Sequence, residues 1–190
     1  MNIEVHRLSP SRRGDFFRLH NEVNGCGWCC CVAWWVPTWE GWGERTAEDN
    51  RALRQALFAR GEDDGYLLYR DGVPAGWVQA GPRDRLTHLT TDYGLEPDGE
   101  VWAITCFLVA PDARRRGLAR QLLAASLEDL RRRGVRRVQA FPRRGHDLPL
   151  EDMWRGPEAT FLEAGFAVVR DDSRRPVLSL TLTGADDPLG

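Results

Sequence analysis

Apolar and polar positions switch between two periods along this chain, and the switches mark its elements. Ile3, Val5 and Leu8 form a short extended pattern that predicts an opening strand. Ser9-Pro10-Ser11 then reads as a helix entry, with Phe16, Phe17, Leu19 and Val23 giving the helix an apolar face. Residues 25–43 are rich in Gly, Cys and Trp and keep no period. Thr46 with Asp49 resembles a capping arrangement ahead of a helix over 51–60, whose face carries Leu53, Leu57 and Phe58. Tyr66-Leu67-Leu68-Tyr69, the turn Asp71-Gly72 and the stretch 75–80 predict a hairpin. Residues 82–99 are polar and broken by Gly and Pro, so they read as a loop. Val101–Val109 is nearly all apolar or small, as a strand buried on both faces requires. The strongest helical pattern spans 117–133. Leu118, Leu122, Leu123, Leu127 and Leu130 share one side, and arginines gather at the C-terminal end, where the helix dipole favours cations. A strand over 135–141, a short helix over 158–164 and strands at Val168-Val169 and 177–182 complete the order. No internal repeat interrupts it, and the alternation predicts an α/β fold with a mixed sheet, one domain over 1–190.

Composition narrows the function classes. A chain of 190 residues suits one domain with a full core. Its formal net charge of −2 argues against a general nucleic-acid binder, which carries a basic excess. All 26 basic residues are arginine, so no side chain here offers a lysine amine. The start of the chain lacks a basic-then-apolar signal pattern, and no apolar run approaches the roughly 20 residues of a membrane helix. The expectation is a cytoplasmic protein without a membrane partner. Five cysteines, four of them at Cys26, Cys29, Cys30 and Cys31, do not make a disulfide framework.

The candidate chemistry sits where the buried strand meets the long helix. Residues 109–120 read Val-Ala-Pro-Asp-Ala-Arg-Arg-Arg-Gly-Leu-Ala-Arg. The first turn of a helix offers backbone N–H groups with no partner inside the helix, and with the dipole these make an anion site. Gly117 and Ala119 add little bulk there, and Arg114, Arg115, Arg116 and Arg120 add positive charge.

The spacing Arg114-x-x-Gly117-x-Ala119 resembles the Q/R-x-x-G-x-G/A signature of the GNAT acetyltransferase superfamily. The strand end Phe107-Leu108-Val109 before it, the leucine-faced helix after it and the ending Phe161-Leu162-Glu163-Ala164-Gly165-Phe166 extend the resemblance from about Tyr66 onward. Cys29-Cys30-Cys31-Val32-Ala33-Trp34 and Thr105-Cys106-Phe107 look like a bacterial branch of that superfamily with a cysteine-rich segment near the start. The resemblance implies a mixed, mostly antiparallel central sheet flanked by helices, and acetyl-CoA as co-substrate. It implies direct transfer of the acetyl group to an amine of a small molecule or peptide. Phe107, Leu108 and Val109 would pair their backbone with the pantetheine arm, and the Phe107 N–H would polarise the thioester carbonyl. The N–H groups of Arg115, Arg116, Gly117, Leu118, Ala119 and Arg120 would hold the pyrophosphate. Relatives often carry a tyrosine acid where this chain has Phe161, and some carry a mid-strand carboxylate that Val101–Val109 lacks. A homodimer stays open.

On the acceptor side the sequence offers candidates and no motif. An amine of pKa near 10 is only about one-thousandth neutral at pH 7, so a base must take its proton. Glu100, at the head of the central strand, is the expected base, with Asp92, His88 and Glu40 as substitutes. The cysteine cluster lacks the second pair that a tetrahedral zinc site draws on, so no metal is expected, and Cys106 reads as core. Trp28, Trp34, Trp35, Trp39 and Trp42 fit either a small core or an aromatic wall for the acceptor. Arg131, Arg132, Arg133, Arg143 and Arg144 read as solvated faces. Two other classes compete with the enzyme: a CoA-binding module without catalysis, and a metal or redox module built on the cysteines.

Overall fold

The computed structural model describes residues 1–23, 28–145 and 154–182, and Cys26 lies outside them. One seven-stranded sheet organises the chain. Its strands are β1 (Ile3–Arg7), β2 (Tyr66–Arg70), β3 (Val73–Pro82), β4 (Val101–Val109), β5 (Arg137–Ala140), β6 (Ala167–Arg170) and β7 (Val177–Thr181). They lie in the order β1-β2-β3-β4-β5-β7-β6. Every neighbouring pair is antiparallel except β4 with β5, which is parallel. The mixed α/β sheet that the alternation predicted is therefore present, with five α-helices among the described residues: α1 (Arg13–Arg18), α2 (Ala47–Ala59), α3 (Thr87–Tyr93), α4 (Leu118–Arg132) and α5 (Glu158–Glu163).

Side-chain alternation divides the core between the two faces of the sheet. Tyr66, Leu68, Val78, Ile104 and Phe107 point to the face covered by α4 and α5, where Leu122, Leu123, Leu127, Leu130 and Phe161 meet them. Leu67, Trp77 and Cys106 point the other way, onto Phe16 and Leu19 at α1 and Phe58 of α2. On that second face Ala103 and Phe141 also pack with Trp34 and with Leu89 and Tyr93 of α3.

Local signals explain most element ends. Thr46 and Asp49 close a full capping box on α2. Gly117 caps α4 at φ 73°, a left-handed conformation that glycine adopts without a Cβ penalty. α3 departs from the loop expected over 82–99. Its N-cap, Leu86, makes no side-chain cap, so the usual sequence mark is missing. Burial of His88, Leu89 and Tyr93 holds this helix instead, which is tertiary packing overriding propensity.

Two irregularities position the site. β4 and β5 pair only over residues 101–104, so residues 105–109 keep an open edge on that side. β3 and β4 pair along the opposite edge with a register shift: Gln79 faces Cys106 while Ala80 faces Ile104. Thr105 is the extra residue of this bulge. Strict alternation from Ala103 would send Cys106 to the α4 face; the bulge re-aims it onto the other face.

Candidate active site

The open edge of β4 runs directly into the anion site. Ala110, Pro111 and the turn through Ala113 carry the chain from Val109 toward α4, and Arg114 Nε donates back to the Val109 carbonyl at 3.0 Å. The first intrahelical bond of α4 runs from the Gln121 N–H to the Gly117 carbonyl at 3.2 Å. The N–H groups of Leu118, Ala119 and Arg120 lie ahead of that bond and point out of the helix end. A Cβ on Gly117 would meet no atom within 4 Å, so the space in front of the turn is open, and the glycine is required by its backbone angle. Arg115 also sits at positive φ, 58°. Arg120 is ion-paired with Glu163 at 2.8 Å. This cradle fits a diphosphate: open space, N–H groups aimed into it, and arginine around it.

A cavity of about 810 Å³ joins this cradle to the opposite face of the sheet. Phe107, Leu108, Val109, Ala113, Arg114, Arg115, Gly117, Leu118, Ala119 and Arg120 line one end. Thr160 and Pro157 at α5 flank it. Trp28, Trp39, Trp42 and Trp154 wall the other end, with His20, Cys29, Cys31, Cys106, Arg143 and Arg155 among them. The passage from one face to the other is the gap that β5 leaves beside residues 105–109.

The tryptophans divide by role. Trp34 is buried, stacked near Trp154 and Trp39 at 5.5 Å from each, and belongs to the core. Trp28 and Trp39 are 41% and 37% exposed, and each leans on Trp42, at 5.0 and 5.8 Å. Trp34 thus packs in a small core, while Trp28, Trp39 and Trp42 line the cavity. Arg155 is 6% exposed, lies over the Trp34 and Trp154 rings, and donates to the Tyr93 hydroxyl at 2.9 Å. Burial lowers its pKa from the usual guanidinium value.

The thiols form a chain behind this wall. Cys31 Sγ lies 3.2 Å from His20 Nε2 and 3.3 Å from Cys106 Sγ, and His20 Nδ1 lies 2.8 Å from the Phe16 carbonyl. The helix widens to a π turn over Leu19–Val23 as it carries His20, a local distortion common at functional positions. Cys30 and Cys31 both take left-handed backbone, φ 42° and 50°. The buried Arg54 guanidinium holds them there, Nε donating to the Cys30 carbonyl at 3.0 Å and Nη2 to the Cys31 carbonyl at 2.5 Å. Desolvation pushes the Cys29 thiol up to about 12, and the Cys106 contact and burial hold Cys31 well above the ordinary thiol range. Among the described residues, no group of three or more His, Cys, Asp or Glu is arranged to hold a metal ion.

The structure does not bring the expected base to this cavity. Glu100 is exposed at the far end of β4, outside the lining, and its N–H is taken by Asp98 Oδ1. Seven residues of strand, at about 3.3 Å each, place it about 23 Å from Phe107. Its substitutes lie outside the lining as well: Asp92 is paired with Arg175 at 2.8 Å, His88 is buried against Trp39, and Glu40 is exposed. Among the described residues no carboxylate lines the cavity at all. Cys106 is part of the core, as expected, and lines the cavity as well. One expectation changes: of the arginines read as solvated faces, Arg143 lines the cavity and Arg144 is fixed by Glu158 and Asp171. His20, Arg155 and Trp154 had no sequence signal beyond residue type, since long-range packing assembles them.

A seven-stranded sheet opened beside its central strand carries a glycine-capped anion cradle at the end of that strand. The profile of the Acetyltransferase (GNAT) family matches residues 28–155, and the chain belongs to that family. No curated protein sequence matches. Among solved structures, the chain is similar to the ribosomal-protein-S18-alanine N-acetyltransferase of Escherichia coli. That likeness has TM-score 0.54 at 15% identity and covers 100% of this chain and 99% of the other. It is similar to the PaiA N-acetyltransferase of Thermoplasma acidophilum in complex with coenzyme A (0.55, 12%, covering 95% and 99%). It is also similar to YncA of Salmonella typhimurium with acetyl-CoA (0.57, 15%, covering 98% and 97%). At these identities the likeness speaks for the fold.

Proposed function

We propose that this protein transfers an acetyl group from acetyl-CoA directly to an amine of a small molecule or peptide. The observation that carries this reading is the continuous cavity from the Gly117 cradle, past the open edge of β4, to the tryptophan wall. The N–H groups of residues 115–120 hold the pyrophosphate. The open edge at Phe107, Leu108 and Val109 takes the pantetheine amides as a strand would. An N–H of that edge, that of Phe107, polarises the thioester carbonyl; a fixed donor aimed at a developing oxyanion is worth about 10²–10³ in rate. The acceptor enters from the tryptophan side. Trp28, Trp39 and Trp42 bury its apolar body and exclude water from the thioester.

The test has two arms. Acetyl-CoA binding by calorimetry is expected for the parent and lost in Gly117→Glu, which sets bulk and negative charge against the phosphates. Thiol release with a panel of amines and N-terminal peptides is expected to identify an acceptor. Binding without turnover on any acceptor would instead favour a CoA-binding module, and a folded Gly117→Glu that binds as tightly as the parent would overturn the cradle.

A further inference from the structure

We propose that His20, Cys31 and Cys106 form a proton relay that takes the acceptor amine's proton during acetyl transfer. The inference rests on the reading of the cavity as an acetyl-transfer site. All three residues line that cavity, on its tryptophan side. Cys106 is its substrate end: it lies on the open stretch of β4, next to Phe107, and the bulge at Thr105 aims it at Cys31.

The direction of the relay follows from hydrogen-bond valence. The Phe16 carbonyl can only accept, so His20 Nδ1 carries the hydrogen of the neutral ring. Nε2 then presents a lone pair to Cys31 Sγ at 3.2 Å. Cys31 Sγ donates to Cys106 Sγ across 3.3 Å in the structure; rotation of that S–H toward Nε2 frees the Cys31 sulfur to accept from Cys106 in turn. When Nε2 is protonated the same contacts run the other way, from Nε2–H to Cys31 and from Cys31 to Cys106. The chain is therefore bonded in both protonation states of its terminal imidazole.

Elimination points to the same group. Among the described residues the cavity offers arginines, thiols and His20, and no carboxylate. Guanidinium does not give up its proton in a protein. The contact with Cys106 and burial keep Cys31 as S–H, which suits a thiol that passes a proton on and does not hold charge. Among these described groups His20 is the one that can take a proton and hold it. Its ring packs 4.0 Å from Phe16 and 6.0 Å from Trp77, centroid to centroid. Among the described residues the ionisable groups around it are Cys31, Cys106 and, across the Phe16 ring, the Arg54 guanidinium of α2.

The step balances. The amine nitrogen attacks the thioester carbonyl carbon, forming the C–N bond. Its proton goes to Cys106 Sγ as the Cys106 proton moves to Cys31 and the Cys31 proton to His20 Nε2. The C–S bond then breaks and the electron pair leaves with the CoA thiolate. His20 releases its proton to the thiolate or to water, giving free CoA thiol, the amide and the starting relay.

Packing and relay predict opposite orders for two variants. Alanine fills the Cys106 site without a dissociable proton, whereas serine carries one but buries a hydroxyl. A relay therefore makes Cys106→Ser faster than Cys106→Ala, and a packing role makes it equal or worse. We expect Cys106→Ala to lower kcat about 10²-fold with unchanged acetyl-CoA affinity by calorimetry, and Cys106→Ser to stay within about tenfold of the parent. The same order is expected for Cys31→Ser over Cys31→Ala, which covers the case of one site failing to fold. His20→Gln should remove the rise of kcat with pH on its acidic side. Alanine and serine variants of equal rate, an unchanged pH profile in His20→Gln, or a stable acetyl thioester on Cys106 found by mass spectrometry with acetyl-CoA alone would each overturn the relay. A parent that neither binds acetyl-CoA nor turns over would remove the acetyl-transfer reading itself, and the relay with it.

Discussion

The Phe107 ring stands edge-on to the Phe161 ring, centroids 5.6 Å apart at 76°, with Gly156 packed against both. Gly156 has φ 89°, and a Cβ there would come within 2.8 Å of Phe107 and 2.9 Å of Phe161. The triad ties the start of α5 to β4. Phe161, whose ring carries no dissociable proton, is fully buried in the α4–α5 core and absent from the cavity lining.

Restoring a tyrosine at this place is expected to bring no gain. Phe161→Tyr would bury a hydroxyl among Phe107, Phe166 and their neighbours, at a cost of about 1–3 kcal/mol. Thermal denaturation should show a lower Tm, and kcat on an identified acceptor should not rise. A rate gain of tenfold or more would show that the hydroxyl reaches the leaving thiolate.

Arg54 is expected to be the strut of the cysteine segment. Arg54→Leu leaves the Cys30 and Cys31 carbonyls without their donors while both residues keep left-handed backbone. The expected loss is at least about 2 kcal/mol, or roughly 4–8 °C in Tm. Acetyl-CoA affinity should hold, because Arg54 is outside the cofactor end of the cavity. A variant as stable as the parent would refute the strut.

The α2 capping box makes a pH-dependent contribution with a definite sign. Hydrogen bonds from the Thr46 backbone N–H, first, and its hydroxyl hold the Asp49 pKa below its model-compound 3.8. A depressed carboxyl contributes stability above its unfolded pKa and loses it as pH falls through the folded value. Asp49→Asn should therefore be less stable than the parent at neutral pH, and the gap should close below about pH 3.8. Tm measured for both proteins across pH checks this; a gap that persists at low pH would mean the carboxylate charge is irrelevant to the cap.

Trp39 is expected to act on the acceptor alone. It lines the tryptophan end of the cavity and is partly exposed, so Trp39→Ala should fold. KM for the acceptor should rise about tenfold, equivalent to about 1.4 kcal/mol of lost contact, with acetyl-CoA affinity unchanged. Equal changes for both substrates would indicate collapse of the wall.

Sequence and structure agree where the signal is local. An unbroken apolar run defines β4, and five leucines on one side define α4. Their junction carries its own glycine mark, so the turn and its left-handed cap were readable. α3 was not, because Leu86 gives no capping signal and the helix is held by Trp34, a distant neighbour. The acceptor side failed for the same reason. Glu100 is adjacent to the right strand, yet the rise of a strand carries it far from the strand's other end. His20, Cys31 and Cys106 are scattered through the sequence and meet only because a bulge and a strained turn aim two sulfurs at each other.

The short seam between β4 and β5 has a mechanical consequence. Two leaves of sheet, β1 to β4 and β5 to β7, are stitched along residues 101–104 and free beyond, like a zip stopped partway. Every later rung that a longer β5 would have supplied is left for a visitor. On the proposed function, a substrate lying in the notch would complete the ladder, and the sheet would gain its last rungs only while at work.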